Sequence, residues 1–404
     1  MCGGERWNGE IPLLFSLVGR FRHQREGQVI RMQKPGRGVK VGAALCVVAL
    51  LAAACGSGGA SQGSGSSGSG SGAQSGGSGK SPSIALSNSY DGNSWRKAMV
   101  ANFTTVAKQA KGKGLISKYE VVNSNKSSAQ QISQLQSMIL QGYKAIVIDA
   151  ASPTALNGVI AKACKAGITV VVFDSLATAP CAYKVESNYV TYGSTETTFL
   201  AKQLHGHGNL LEIRGVAGTS VDHDISQGIH QAAAKYPGLK VVGQVHGDWT
   251  ETVAQKAVEG VLPSLPSVNG VVDQGGDGSG AVKAFQALHK SVPPVIMGNR
   301  GSELRVWKQM LAKDPSYQTL SISSVPGMGT IAFWVAHQVA TGHKVPKKLY
   351  APLLEIPKDH LNAWLKATPA SGVATKVYSE AETKALIKQS AAGAPKYVTT
   401  ALPG

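Results

Sequence analysis

The chain has 404 residues, 43% of them hydrophobic and 6% aromatic, and a formal charge of +17. That length points to two domains with enough chain for a full core. Eight Lys/Arg and three Asp/Glu precede Cys55, which leaves 32 basic against 20 acidic residues spread along the remainder. Nucleic-acid binding calls for a basic stripe with a reading motif. Neither is present, and a basic protein beside an anionic membrane surface is the reading retained.

Residues 1–31 carry Glu5, Glu10 and Glu26 and an isolated apolar patch, IPLLFSLV, which do not suit the start of an export signal. Met32 is therefore the expected start of translation. After it, Lys34, Arg37 and Lys40 form a positive segment and VGAALCVVALL (41–51) an apolar one. That run falls short of the roughly 20 apolar residues a stable membrane span needs. Ala52-Ala53-Ala54 then supply a small-residue cleavage site. Cys55 follows directly, and the arrangement resembles the bacterial lipobox, with Ala52 where that motif usually has Leu. The resemblance implies a diacylglycerol anchor on Cys55 and a protein held at the outer face of the cell membrane. Residues 56–79 are almost wholly Gly and Ser and read as a flexible tether.

From Ser83 short apolar runs alternate with amphipathic stretches. Strands are expected at 83–88, 119–123, 145–149, 168–174, 209–215, 239–245, 270–274, 295–298 and 319–323. They are short, rich in β-branched residues and nearly continuous in apolar character, as buried parallel strands are. Helices are expected between them, one over 152–167 ending at Gly167. Repeated βα units imply α/β architecture with open parallel sheets. Cys164 falls late in that helix and Cys181 in the loop after the next strand. An exported protein meets an oxidising compartment, so these two are expected to pair. Beyond Pro357, HLNAWLKAT and SEAETKALIKQSAAG read as two short helices packed on the outside of a lobe.

Ligands of open α/β sheets sit beyond the carboxyl ends of the strands. The segments there are Asp91–Arg96, Asp174-Ser175, Val216–His223, His246–Trp249, Gly275–Asp277 and Asn299–Gly301, all polar, aromatic or Gly-rich. They suggest one cleft shared by two lobes.

IALSNSYDGNSW, VVVFDS, IRGVAGTSVDHD, VDQGGDGSGAVKAF and VIMGNRG together resemble the type I periplasmic binding proteins of the ribose- and galactose-binding class, over roughly 83–350. The resemblance implies two Rossmann-like lobes with parallel sheets, joined by a three-strand hinge and closing on a ligand. It places ligand contacts at Asn93 and Trp95, with Arg96 where the family has a second aromatic. Asp174 matches the acid after the fourth strand, and Ser175 replaces the Arg that often follows it. His223 stands in place of an Arg, and Trp249 matches an aromatic. The family's Asn falls at Gly276, beside Asp277. Arg300 replaces an acid, and Ser324 lies near the polar hinge position. The expected division is 1–54 leader and signal, 55–82 anchor and tether, 83–189 with about 325–350 first lobe, and 190–324 with about 351–404 second lobe and tail.

Two indoles suit the apolar faces of a pyranose, and charged groups suit its hydroxyl rim. The expected function is the substrate-binding component of an ABC-type importer for a monosaccharide, acting as a monomer with a permease as partner. Arg96, His223 and Arg300 leave an anionic ligand such as a sugar acid open. A sensor lipoprotein feeding a membrane receptor is the other alternative. An enzyme is disfavoured, since no GxSxG, HExxH or P-loop pattern occurs. GGDGSG reads as a turn opening a helix, and HGHG (205–208) as a surface loop. No catalytic residue, metal ligand or cofactor is assigned. A lactose-repressor-type regulator would need a helix-turn-helix where the signal and tether stand.

Overall fold

Ile84–Asn88 (β1) is buried at every position, as a strand covered on both faces must be. The computed structural model describes residues 81–403. The expected start at Met32, the signal, the Cys55 anchor and nearly all of the tether lie outside the described residues.

The first lobe runs through α1 (Ser94–Gly112), β2 (Tyr119–Asn123), α2 (Ser128–Leu140), β3 (Ala145–Asp149), α3 (Asn157–Lys165), β4 (Thr169–Phe173) and β5 (Tyr183–Glu186). Its sheet has the order β10-β5-β4-β3-β1-β2, where β10 (Lys348–Tyr350) arrives from late in the chain. Every pairing is parallel. The register puts Asn88 beside both Asn123 and Asp149, so three polar residues share the carboxyl edge.

The second lobe contains α4 (Tyr189–Gln203), β6 (His207–Arg214), α5 (Ser220–Ala233), β7 (Gly238–His246), α6 (Glu251–Val261), β8 (Gly270–Asp273), α7 (Gly278–Ala287), α8 (Gly301–Lys313) and β9 (Ser321–Ser323). Strands β7, β6 and β8 pair in parallel. The run at 295–298 joins as two isolated parallel bridges, Val271 to Val295 and Met297 to Ser321. These link β8 to β9, beyond which lie β11 (Leu353–Ile356), antiparallel, and β12 (Val398–Thr399), parallel to β11.

The chain crosses between the lobes after β5, after β9 and between β10 and β11, which gives the three-strand hinge of the type I fold. Following the second crossing, α9 (Met328–Ala340) is buried at every position from Met328 to Gln338. A helix apolar on all sides must be covered on all sides. It lies over β3 and β4 with α1 alongside, and Phe103 meets Phe333 edge to face at 5.4 Å.

The end of the chain departs from its expected place on the second lobe. A 3-10 turn (Lys358–His360) and α10 (Leu361–Ala367) stay there, with α10 against α8, but α11 (Glu380–Ala391) packs on α9 and β10 of the first lobe. The reason lies in α9. Its outer residues Trp334, His337 and Gln338 are buried, Trp334 Nε1 donates to the Tyr378 carbonyl at 3.2 Å, and Gln338 donates to Glu380 at 2.8 Å.

Cys164 and Cys181 form a disulfide 17 residues apart, tying the end of α3 to the loop after β4. Closing a loop of that size stabilises a fold by about 3 kcal/mol. Replacing both cysteines by Ser is expected to lower the urea-derived stability by about that amount; unchanged stability would show that the bond carries no structural weight.

Candidate functional site

A cavity of about 370 Å³ opens where the carboxyl edges of the two sheets face each other. Seven of the ten expected residues line it: Asn93, Trp95, Arg96, Asp174, Trp249, Arg300 and Ser324. The lobes also touch directly across the cleft. Lys126 pairs with Asp248 at 3.3 Å, and the Leu176 amide donates to Ser220 Oγ at 2.9 Å. The lobes are therefore drawn together over the cavity.

Asn93 caps α1, its side-chain oxygen accepting the Arg96 amide at 2.9 Å. That cap starts the helix at the rim, so Trp95 and Arg96 in its first turn face inward. Trp95 Nε1 donates to the Ser324 carbonyl at 3.0 Å, which fixes the indole to the second hinge crossing. The Arg96 guanidinium lies 5.3 Å from the Trp95 ring centroid.

Arg96 is 3% exposed, and both of its terminal nitrogens are engaged by the protein. One terminal nitrogen pairs with Asp149 and lies 3.4 Å from Asn88 Oδ1; the other lies 3.0 Å from Asp174 and 3.3 Å from Ser175 Oγ. Burial pulls its pKa down, and Asp174 opposes that shift; an arginine stays charged in either case. Asp174 takes a left-handed backbone (φ 55°) just after β4. Its carboxylate accepts from Arg96 on one oxygen and from the Tyr189 hydroxyl on the other. Burial, with Asp174 beside it, pushes the Tyr189 pKa well up, so Tyr189 remains a donor. Each Asp174 oxygen keeps a lone pair for a ligand hydroxyl.

On the second lobe, Trp249 sits in a turn with φ 53°. A Cβ on Gly215 would lie 2.1 Å from its indole, and one on Gly276 (φ 104°) would lie 2.2 Å from the Arg300 guanidinium. Arg300 thus occupies the room that any side chain at Gly276 would need. Arg300 Nη1 donates to the Trp249 carbonyl at 2.6 Å. Behind it, Glu303 accepts backbone amides of Gly276, Gly278, Gly298 and Arg300 at 2.9–3.2 Å.

Three expected residues fall elsewhere. Ser175 is buried one layer behind the cavity, holding Arg96. Asp277 is fully buried at the start of α7 beneath Arg300. His223 is a correction. The Thr219 cap turns Val221 and Ile225 inward, so the intervening His223 faces out, 73% exposed beside Asp224. Val221 and Gly275, within segments expected at the strand ends, also line it, and Tyr189, Tyr192, Ile225, Gln274 and Ser323, which sequence reasoning missed, complete the wall. Tyr189 follows β5, a strand of four residues that the apolar pattern did not reveal. Val221 and Ile225 look like any core-facing helix pair.

Beneath the second-lobe wall lies a buried acidic layer. Burial pushes Asp273, Asp277 and Glu303 above the usual carboxylate range, while Arg300 opposes the shift. Glu196 on α4 is also buried, with no side-chain hydrogen-bond partner for its carboxyl among the described residues. Burial pushes its pKa well up, reinforced by Asp273 on β8 and Glu212 on β6 and opposed by the Asp273 backbone amide.

The residues from 84 to 344 match the family model described as a periplasmic binding protein domain. The chain belongs to the periplasmic binding proteins. Its two lobes of parallel sheet are those of the type I fold, and the family implies a setting outside the cytoplasm. It is similar to the ribose import binding protein of Bacillus subtilis, 26% identical over 61% of this chain and 79% of that one. The xylitol-binding protein of Mycolicibacterium smegmatis is 30% identical over 43% of this chain, an alignment spanning about half (51%) of that relative. Among solved structures, an ABC transporter solute-binding protein from Thermobispora bispora superposes with a TM-score of 0.74 at 35% identity, covering 80% of this chain and 99% of that one.

Two outcomes follow from these charges. Arg96→Met strips Asp149 and Asp174 of their cation and is expected to cost about 3–5 kcal/mol in urea unfolding, the usual penalty for orphaning a buried charge. Adding Asp149→Asn should recover part of it; no loss in the single variant would mean the pair is not formed. For Glu196 the folded carboxyl holds a proton that the unfolded chain releases above about pH 4.3. Stability is thus lost as pH rises, until the folded carboxyl itself ionises. Glu196→Gln removes that loss. Its advantage over wild type should be small near the unfolded carboxyl value and grow by up to about 1.4 kcal/mol per pH unit above it. A difference that stays constant with pH would contradict the buried, protonated state.

Proposed function

We propose that this protein is the substrate-binding component of an ABC-type importer and that its ligand is a neutral, polyhydroxylated molecule of monosaccharide size, a sugar or a polyol. The observation that carries this is the charge balance of the cavity. Arg96 is matched by Asp149 and Asp174, and Arg300 is turned onto the Trp249 carbonyl above the buried Asp277 and Glu303. The Arg96 guanidinium is already answered by two carboxylates, which disfavours a sugar acid or other anion on the first lobe. Asp174 offers acceptor capacity to ligand hydroxyls, while Trp95 and Trp249 offer apolar faces for C–H surfaces.

The relatives support the same class: one is named for ribose import, one for xylitol. Solute enters the open cleft, bridges the lobes and shifts the population towards the closed form. The ligand leaves unchanged, so no reaction is assigned. Cys55 carries the lipid anchor in this reading.

A thermal-shift panel of pentoses, hexoses, pentitols and inositols, set against sugar acids and amino acids, tests the ligand class. A neutral member should raise the melting temperature most. Asp174→Asn, still folded by circular dichroism, should weaken that ligand by about 10- to 150-fold, the factor supplied by hydrogen bonds to a charged group. Stabilisation by anions or amino acids alone would overturn the assignment.

A further inference from the structure

The last stretch of chain does more than cover α9. The family model stops at 344, yet residues 368–380 run from the second lobe to the first beside the hinge. On the second lobe Arg305 donates to the Thr368 carbonyl at 3.1 Å and Gly301 to that of Gly372 at 2.9 Å. Val373 forms an antiparallel bridge with Arg300 itself, and the Ala374 amide donates to the Asn299 carbonyl at 2.8 Å. The next residue changes lobe. Thr375 Oγ1 accepts from Asn102 of α1 at 3.3 Å and from the Gly327 amide, at the second hinge crossing, at 3.1 Å. The Tyr378 amide then donates to Thr330 at 3.0 Å, and α11 follows.

We infer that residues 368–380 are a strap limiting how far the lobes open, and that Thr375 is the positioning residue that pins it. Adjacent residues are bonded to opposite lobes. Consecutive Cα atoms stand 3.80 Å apart, so no slack separates the Asn299 anchor from the Asn102 and Gly327 anchors. Opening that parts these anchors breaks one set of bonds. The fit admits little sliding: a Cβ on Gly301 would lie 1.9 Å from the Pro369 carbonyl, and one on Gly327 would lie 1.6 Å from that of Lys376. Because the bridge partner of Val373 is Arg300, whose side chain lines the cavity, the strap also holds that side of the cavity in register with the first lobe.

Hydrogen exchange on the ligand-free protein tests this without knowledge of the solute, so its result is independent of the proposed ligand class. The Leu176 amide, bonded to Ser220 across the cleft, reports opening; the amides of β6 within the second lobe report global unfolding. Thr375→Val keeps the side-chain shape and removes the acceptor. It should speed exchange at Leu176 about five-fold or more, the factor one neutral hydrogen bond supplies, and leave β6 unchanged. Thr375→Ser retains the hydroxyl and should exchange as wild type. Unchanged exchange at Leu176 in the Val variant, equal acceleration of β6, or a Ser variant that opens like Val would each overturn the inference.

Discussion

The candidate site depends on a buried cation answered from several strand ends at once. Arg96 comes from the first turn of α1, and its partners come from the ends of β1, β3 and β4: Asn88, Asp149 and Asp174, with Ser175 behind them. A buried charge is tolerated only when its hydrogen-bonding capacity is met. Here no single residue meets it, so the strand ends must keep their register with α1. The parallel pairing that aligns Asn88 with Asp149 supplies that register. Asp174, the acceptor offered to a ligand, is thereby fixed from two sides before any ligand arrives. Preorganisation of this kind reduces the ordering cost of binding.

The second lobe solves the matching problem differently. Arg300 is not gripped by a bidentate partner; it lies over Gly276, bonded to the Trp249 carbonyl and underlain by a layer of buried acids. Those carboxyls are pushed upward by burial, and the arginine is the cation that opposes it. The two faces of the cavity therefore differ in kind. The first lobe presents a rigid acceptor, held at each oxygen yet with a lone pair left on both, and the second presents an indole and a guanidinium carried on turns with little slack. In a closing receptor the first face suits initial capture and the second suits the bridging contact.

Much of the sheet framework was legible in the sequence, because buried parallel strands are continuous apolar runs. Eight of the expected runs became strands, and 295–298 joined by bridges alone. The strands that escaped notice, β5, β10, β11 and β12, have four residues or fewer and most are interrupted by charged or polar residues, as in YKVE and KLY, so no continuous apolar run marks them. Missing β5 hid Tyr189, since the loop after an unseen strand is not read as a strand end. His223 failed for another reason. The resemblance supplied a position along the chain but not the helical phase set by the Thr219 cap. Gly276 and Arg300 each looked like a separate departure from the family. In the fold they meet, since the Arg300 guanidinium lies where a side chain at Gly276 would stand.

The placement of the tail follows from α9. Eleven consecutive buried residues on a helix leave no face for solvent. A sheet below and α1 alongside cover only part of the circumference, and Trp334 on the outer side would otherwise stand exposed. The chain that covers it has to come from the second lobe, where α10 is already docked on α8, and has to cross the hinge to arrive. Once across, it returns, since β12 pairs with β11 back in the second sheet. A requirement of core burial in one lobe thus creates covalent connections between the lobes in addition to the three hinge crossings. These connections run beside the hinge, where rotation displaces the chain least, so they restrain the amplitude of opening without abolishing it.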